Sequence, residues 1–264
     1  MRICSIASGS SGNCTYIGTD NTHILVDAGV SCKKIVEGLN ALSLSPKDLD
    51  GIFITHEHID HIAGLGVLSR KYGVPIYGTP GTIEGIKKTS SLGKIDADFF
   101  RKVREDEKLN LKDIEVHPFK ISHDAAQPVG YRVEQGNKKT AVATDMGYFD
   151  DYIVENLKGV NALVLEANHD VNMLQVGPYP YYLKQRILGN RGHLSNENSG
   201  RLLCNILHDD LKAVTLGHLS KENNLPELAY ETVRMEITMQ GKYKADDFPI
   251  YVAKRSEISE IVEI

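Results

Sequence analysis

Five short apolar runs of this chain each stop at a side chain that can bind a metal ion or carry a proton. Ile52-Phe53-Ile54-Thr55 runs into His56, Lys120-Ile121-Ser122 into His123, Ala141-Val142-Ala143-Thr144 into Asp145, Leu163-Val164-Leu165 into Glu166, and Val214-Thr215-Leu216-Gly217 into His218. Runs of this length and composition read as buried strands. If these strands share one orientation in a sheet, their polar ends converge on a single rim. There, loops present them to a ligand while the strands hold them rigidly. The rim is where a site is expected.

The rest of the chain follows the same rhythm. Strands are predicted over 3–7, 23–26, 51–55, 75–77, 114–121, 129–134, 140–143, 162–166, 213–216 and 250–253. Helical patterns with capping residues fall over 31–42, 63–72, 82–88, 150–157, 179–188, 195–208 and 225–239. Strands alternating with helices predict an α/β fold. No repeat, linker or low-complexity tract interrupts the pattern, so residues 1–264 are read as a single domain. With 41% hydrophobic and 25% charged residues over 264 positions, the chain can bury a real core and is neither disordered, collagen-like nor coiled coil.

Several function classes are excluded early. The longest apolar runs, such as 162–165 and 213–216, fall far short of the ~20 residues of a membrane helix. Met1-Arg2-Ile3-Cys4-Ser5-Ile6-Ala7 lacks the form of a secretory signal, so the expected location is the cytoplasm. Cys4, Cys14, Cys32 and Cys204 show no CxxC spacing and read as packed thiols. A net charge of −5 gives no global attraction for nucleic acid, so any polyanion site must be local.

The strongest local signal is Thr55-His56-Glu57-His58-Ile59-Asp60-His61, between a β-run and a helix. Imidazole and carboxylate ligands suit zinc, manganese or iron. A loop this short can turn His56 and His58 toward one ion and aim Asp60 and His61 at another. A solvated polar loop is the alternative, but four ligand-type side chains converging within six residues are hard to explain by packing.

This segment resembles the HxHxDH signature of the metallo-β-lactamase fold, a four-layer αβ/βα sandwich with pseudo-twofold halves. Leu25-Val26-Asp27-Ala28-Gly29 is similar to the family's first motif, His123 to its third, Asp145 to its bridging carboxylate and His218 to its last ligand. The resemblance implies two divalent ions per chain, zinc or manganese with iron a further candidate. His56, His58 and His123 would hold one, Asp60, His61 and His218 the other, and Asp145 would bridge them. Over nearly the whole chain the sequence resembles the WalJ/YycJ family of Gram-positive bacteria, through Ser8-Gly9-Ser10-Ser11-Gly12-Asn13-Cys14, Glu166-Ala167-Asn168-His169-Asp170, Arg191-Gly192-His193-Leu194-Ser195-Asn196 and Leu216-Gly217-His218-Leu219-Ser220. That resemblance implies a 5′ to 3′ exonuclease acting on DNA, in a family associated with regulation of cell-wall metabolism.

Such a site would use a metal-bridging hydroxide as nucleophile, with Asp60 and Asp145 holding the ions and His193 as proton donor to the leaving oxygen. His193 follows a basic, glycine-containing turn and precedes a helix start; a histidine that only makes hydrogen bonds is the plainer alternative. Asp27 is expected to hydrogen-bond the ligand loops. Glu166 and His169 either support the ligands and His193 from behind or line the pocket. Ser10, Ser11 and Asn13 lie in a turn that could form an anion nest. Lys184, Arg186 and Arg191, interleaved with Tyr179, Tyr181 and Tyr182, suit phosphate contact and base stacking, or else form a solvated helix face. His23, His117 and His208 read as ordinary histidines.

Other activities of the fold fit less well. A zinc β-lactamase usually carries cysteine where Asp145 stands. Only 22 positions separate His123 from Asp145, too few for the arm of a tRNA-processing enzyme, and 73 from Asp145 to His218 leave no room for an inserted β-CASP domain. A compact phosphodiesterase or other hydrolase of small substrates, and a non-enzymatic regulator of cell-wall signalling, remain as alternatives.

Overall fold

The computed structural model describes residues Met1–Ile264. The chain first lays down β1 (Arg2–Ala7), β2 (Cys14–Gly18), β3 (His23–Val26), β4 (Gly51–Phe53), β5 (Ile76–Gly78) and β6 (Phe100–Lys102). It then adds β7 (Leu109–Leu111), β8 (Ile114–Lys120), β9 (Val129–Gln135), β10 (Lys138–Ala143), β11 (Ala162–Glu166), β12 (Ala213–Gly217) and β13 (Ile250–Val252), and β14 (Val262–Glu263) returns to the first group. Two seven-stranded sheets result, ordered β14-β1-β2-β3-β4-β5-β6 and β13-β12-β11-β10-β9-β8-β7. Each begins with antiparallel hairpins and turns parallel, from β3 onward in one and from β10 onward in the other.

Parallel neighbours need crossovers, and helices supply them. In the first half these are α1 (Cys32–Ala41), the short α2 (Ile59–Ile62), α3 (Leu65–Tyr72) and α4 (Pro80–Lys88). In the second they are α5 (Asp151–Leu157), α6 (Val171–Val176), α7 (Tyr181–Leu188), α8 (Asn196–Ile206) and α9 (Pro226–Gln240). Local chemistry sets several starts: Ser31, Thr79, Asp150, Asp170 and Ser195 each accept a backbone N–H of the first turn. No helix is long and apolar enough to cross a membrane.

Side-chain alternation along the central strands assigns each residue to a layer. Leu163 and Leu165 of β11 pack with Leu157, Leu203 and Val233 from the helices, while Ala162 and Val164 face the other sheet. In β3 and β4, Leu25 and Ile52 join Ile35, Leu39 and Leu65, whereas Ile24, Val26 and Phe53 enter the space between the sheets. Both faces of these strands are buried, which is why they read as unbroken apolar runs. The layers are helix, sheet, sheet, helix: the αβ/βα sandwich.

The two sheets are also joined by specific contacts. Phe53 stacks on Tyr77 at 4.4 Å and meets the edge of Tyr131 at 5.5 Å between ring centroids. The Tyr131 hydroxyl donates to the Ile54 carbonyl at 2.9 Å. Truncating a buried ring such as Phe53 to alanine costs about 3–5 kcal/mol.

The central strands follow the predicted pattern; the exceptions are instructive. Strands β2, β6, β7 and β14 and helices α2 and α6 carry no sequence prediction. β6 and β7 are three residues each and expose Arg101, Lys102 and Asn110, so they lack an apolar run. β2 is buried throughout, yet Thr15 and Gly18 interrupt its apolar signal. The predicted helix over 63–72 starts two residues later, at Leu65 of α3 with Gly64 as its cap, and the separate turn α2 precedes it.

Candidate metal centre

Backbone turns at strand ends carry the polar side chains to one rim. Asp27, Asp145 and His218, which follow β3, β10 and β12, have φ of +64°, +62° and +56°. Non-glycine residues are uncommon there, and such strain, of the order of 1 kcal/mol each, persists where surrounding contacts over-determine it. Those contacts are present: Asp27 accepts from Thr55 N at 2.8 Å and from His61 Nδ1 at 2.7 Å, and His218 N donates to Ser8 Oγ at 2.8 Å. Gly29 permits the close approach of the motif loop, since a Cβ there would lie 1.6 Å from the Asp60 carbonyl oxygen.

The structure brings all seven predicted ligand residues together. Candidate donor atoms lie within 4.8 Å of one another in the groups His56/His58/His123, Asp60/His61/His218 and His56/His61/Asp145. His58 Nδ1 and His123 Nε2 are 3.2 Å apart, His218 Nε2 and Asp60 Oδ2 3.4 Å, and His61 Nε2 and Asp145 Oδ2 3.4 Å. Asp145 reaches both groups, because its other oxygen is 3.7 Å from His123 Nε2. Two donors each ~2.1 Å from an ion at a tetrahedral angle stand about 3.4 Å apart, so these separations are those of ligands sharing an ion. Buried His56 Nε2 and Asp145 Oδ2 have no hydrogen-bond partner in the protein, a costly condition that ligation would relieve. The residues therefore fit divalent metal.

Hydrogen bonds behind the cluster choose which ring nitrogens face it. His61 Nδ1 donates to Asp27, His123 Nδ1 to the Gly192 carbonyl at 3.1 Å, and His218 Nδ1 to Glu166 at 2.9 Å. Each bond leaves Nε2 for the centre. Burial, aided by His61, His123 and His58, lowers the pKa of His56 well below its ordinary value and keeps it a neutral donor. Burial also acts to lower His61, but the Asp145, Asp27 and Asp60 carboxylates outweigh it and push the imidazole up to about 9. A field that holds a proton so firmly also favours a divalent cation in its place.

His193 lies beside this cluster: it is outside the groups of His56, His58 and His61, but its donor atom lies within 4.8 Å of those of Asp145, Glu166 and His218. Its Nδ1 donates to Glu166 Oε1 at 2.8 Å, and its ring centroid is 5.1 Å from that of His123 and 5.2 Å from that of His218. Glu166 is fully buried, and its Oε2 accepts from Met146 N and Leu194 N. Burial would raise its pKa, but His193 and His218 hold it below the usual carboxylate range. His169 is buried with Nε2 unpartnered, and burial lowers its pKa to about 4.

The predicted substrate residues are placed less uniformly. Ser10 and Ser11 are exposed at a turn closed by the Gly12 N–H donating to the Gly9 carbonyl. Asn13 is 6% exposed, its amide bonded to Gly9 and 3.2 Å from His61 Nε2, so it braces the turn from below. Lys184 donates to the Gln175 carbonyl, Arg186 pairs with Asp124 through both Nε and Nη2, and Arg191 Nε donates to the His123 carbonyl at 3.2 Å. Tyr181 and Tyr182 project from α7, 75% and 74% exposed, and Tyr179 precedes it. His23 bonds the Tyr16 hydroxyl and His208 the Val160 carbonyl. His117 groups with Glu115 and Glu134, whose carboxylates are already paired with Lys108 and Arg132.

Sequence reasoning missed three participants. Thr55 donates its hydroxyl to Asp27, Asn168 Nδ2 donates to the His218 carbonyl at 2.9 Å, and Asp124 lies 3.4 Å from His123 Nε2. Two of them adjoin motif histidines, which was the available signal.

Comparison with known proteins agrees with this fold. The family model described as beta-lactamase superfamily domain matches residues 22–211. The exodeoxyribonuclease WalJ of Streptococcus pneumoniae is 40% identical, over 98% of this chain and 96% of its own. The exodeoxyribonuclease YycJ of Bacillus anthracis is 41% identical, over 95% and 94% respectively. Among solved structures, the metallo-beta-lactamase fold protein YhfI of Bacillus subtilis superposes with a TM-score of 0.72 over 98% of each chain at 16% identity, a likeness of fold.

Proposed function

The chain belongs to the beta-lactamase superfamily and, within it, to the family of the WalJ and YycJ exodeoxyribonucleases, and from that premise we propose that this metal-dependent hydrolase is itself an exodeoxyribonuclease acting 5′ to 3′. The observation that carries the reading is the Glu166–His193 pair beside the cluster: a proton-carrying side chain, held at one nitrogen, where ligands alone would serve only to bind metal. The names of the two relatives supply DNA as substrate, and the resemblance in sequence supplies the polarity.

In this reading His56, His58 and His123 would hold one divalent ion and Asp60, His61 and His218 a second, with Asp145 placed to serve both; zinc and manganese would suit the nitrogen and oxygen donors, with iron a third candidate. Bound there, the ions supply an activated water and positive charge for the phosphoryl oxygens. Asp27, Gly192 and Glu166 fix the ligating rings. His193, bonded to Glu166 through Nδ1, is left with Nε2 to donate a proton to the leaving oxygen, and the Glu166 carboxylate balances the charge of the protonated ring. Ser10, Ser11, Lys184 and Arg186 are available to the strand beyond the scissile bond.

The test is hydrolysis of 5′- and 3′-labelled DNA and RNA by the purified protein with Mn²⁺ or Zn²⁺. Mononucleotides released from the 5′ end of DNA are expected. Cleavage of bis(p-nitrophenyl) phosphate without cleavage of any polynucleotide would replace this reading with a small-substrate phosphodiesterase; no hydrolysis of either would leave a regulator.

A further inference from the structure

On the His123 side of the cluster, a cavity of about 630 Å³ opens between the segment 120–128 that follows β8 and the start of α5. His123 lines it together with Arg191, so the cavity borders the centre on that side. Its volume falls within the ~300–1,000 Å³ of sites for single small molecules.

The lining is chemically specific. Lys120 Nζ has no partner in the protein, and Arg191 uses only Nε, toward the His123 carbonyl, so its two terminal nitrogens are free. Three acids also border the space, but Asp106 accepts from the Tyr152 hydroxyl at 2.6 Å and Asp150 caps α5 through Ile153 N at 3.1 Å. Glu105 is the one acid without a hydrogen-bond partner; all three carboxylates keep their charge, so a phosphate here must be held by direct contact with the free Lys120 Nζ and Arg191 guanidinium nitrogens and not by the net charge of the cavity. The Tyr152 hydroxyl also accepts from Lys120 N at 2.9 Å, which braces that wall from the strand and the helix together. Tyr148, by contrast, is 44% exposed, with neither a ring nor a hydroxyl partner. A free aromatic face with free cations in one cavity is the combination that stacks a base and holds its phosphate.

We propose that this cavity is a nucleotide site, which takes the terminal nucleotide of the strand being cut with its base on Tyr148 and its phosphate between Lys120 and Arg191. The proposal rests on the nuclease reading and deepens it: a site for one nucleotide beside the ions makes removal from an end the favoured reaction. The probe is deoxyadenosine 5′-monophosphate, its binding to the metal-loaded protein measured by calorimetry and its inhibition of DNA hydrolysis by kinetics. Tyr148→Ala and Lys120→Glu, matched to the parent protein in metal content and Tm, are each expected to weaken the mononucleotide roughly tenfold or more, the size of one lost stack or ion contact, and to raise KM for DNA in parallel. Should Tyr148→Ala lower the Tm, Lys120→Glu, on an exposed lysine, carries the test. Unchanged mononucleotide affinity in the double variant, with DNA still degraded, overturns the site and leaves the nuclease. Binding that depends on Tyr148 in a protein that degrades no DNA overturns the nuclease reading and leaves the site.

Discussion

Glu166 accepts a hydrogen bond from Nδ1 of His193 at 2.8 Å. The same oxygen accepts from His218 Nδ1 at 2.9 Å, while the other takes two backbone N–H groups. One buried carboxylate therefore orients the proposed proton donor and a proposed metal ligand together. Glu166→Gln keeps the shape but puts an amide NH₂ where two donors already point, so DNA hydrolysis is expected to fall about 10–100-fold with a parallel drop in metal affinity. Turnover and elemental analysis check it; loss of turnover at full metal content would confine Glu166 to His193.

Asp145→Ala and His193→Ala should separate holding metal from moving a proton. Asp145 reaches both ligand groups, so its loss is expected to remove metal and activity together. His193→Ala should keep the metals yet lose ~10²-fold or more in turnover. Metal loss in His193→Ala would make it a ligand.

About two divalent ions per chain are expected by elemental analysis. A chelator should then lower Tm by about 10–20 °C, the linkage effect of two ions each present at ~100 times its dissociation constant, and Mn²⁺ or Zn²⁺ should restore it. An unchanged Tm would mean that the cluster does not hold metal under those conditions.

Lys184→Ala/Arg186→Ala should weaken DNA binding and reduce the salt slope by about 0.9 for each lost phosphate contact on duplex. Removing Arg186 also strips the Asp124 carboxylate of its partner close to His123. The Arg186 change is therefore expected to weaken binding more than the Lys184 change, and unchanged binding in both would place both residues on the solvent side of the DNA path.

Asp113, between β7 and β8, ties the sheets from outside the site: it accepts from Thr19, Thr22 and Asn21 of the first sheet's hairpin and from Gln135 of β9. Burial raises its pKa, but the bonds from Thr22, Thr19 and Asn21 outweigh that and lower it. A depressed folded pKa contributes stability that is complete above the unfolded value near ~4 and is lost as pH falls through the folded value. Asp113→Ala should therefore lower Tm by about 3–6 °C at neutral pH and by progressively less as the pH is taken below ~4. A Tm difference that persists unchanged into acid would assign the effect to packing.

The sequence by itself determined the elements that are buried on both faces and the residues that end them. Ile52 to Ile54, Ala141 to Ala143 and Leu163 to Leu165 are apolar without a break because helices cover one face and the opposite sheet the other, and such burial leaves its mark on every residue. Edge strands such as β6 and β7 carry no such mark, since half of their surface meets water and three residues give too little periodicity. The spacing of His56, His58, Asp60 and His61 was equally legible, because a short loop between two regular elements has few ways to point its side chains. Tertiary structure alone decided that Glu166 serves two histidines, that Asp124 captures Arg186, and that Lys120, Tyr148 and Arg191 surround one cavity. Those partners lie 20 to 70 residues apart, and their distances depend on how crossover loops settle over a rim built from two packed sheets. Hydrophobic pattern acts over a few residues of chain, whereas a hydrogen bond is made or lost within half an ångström of space.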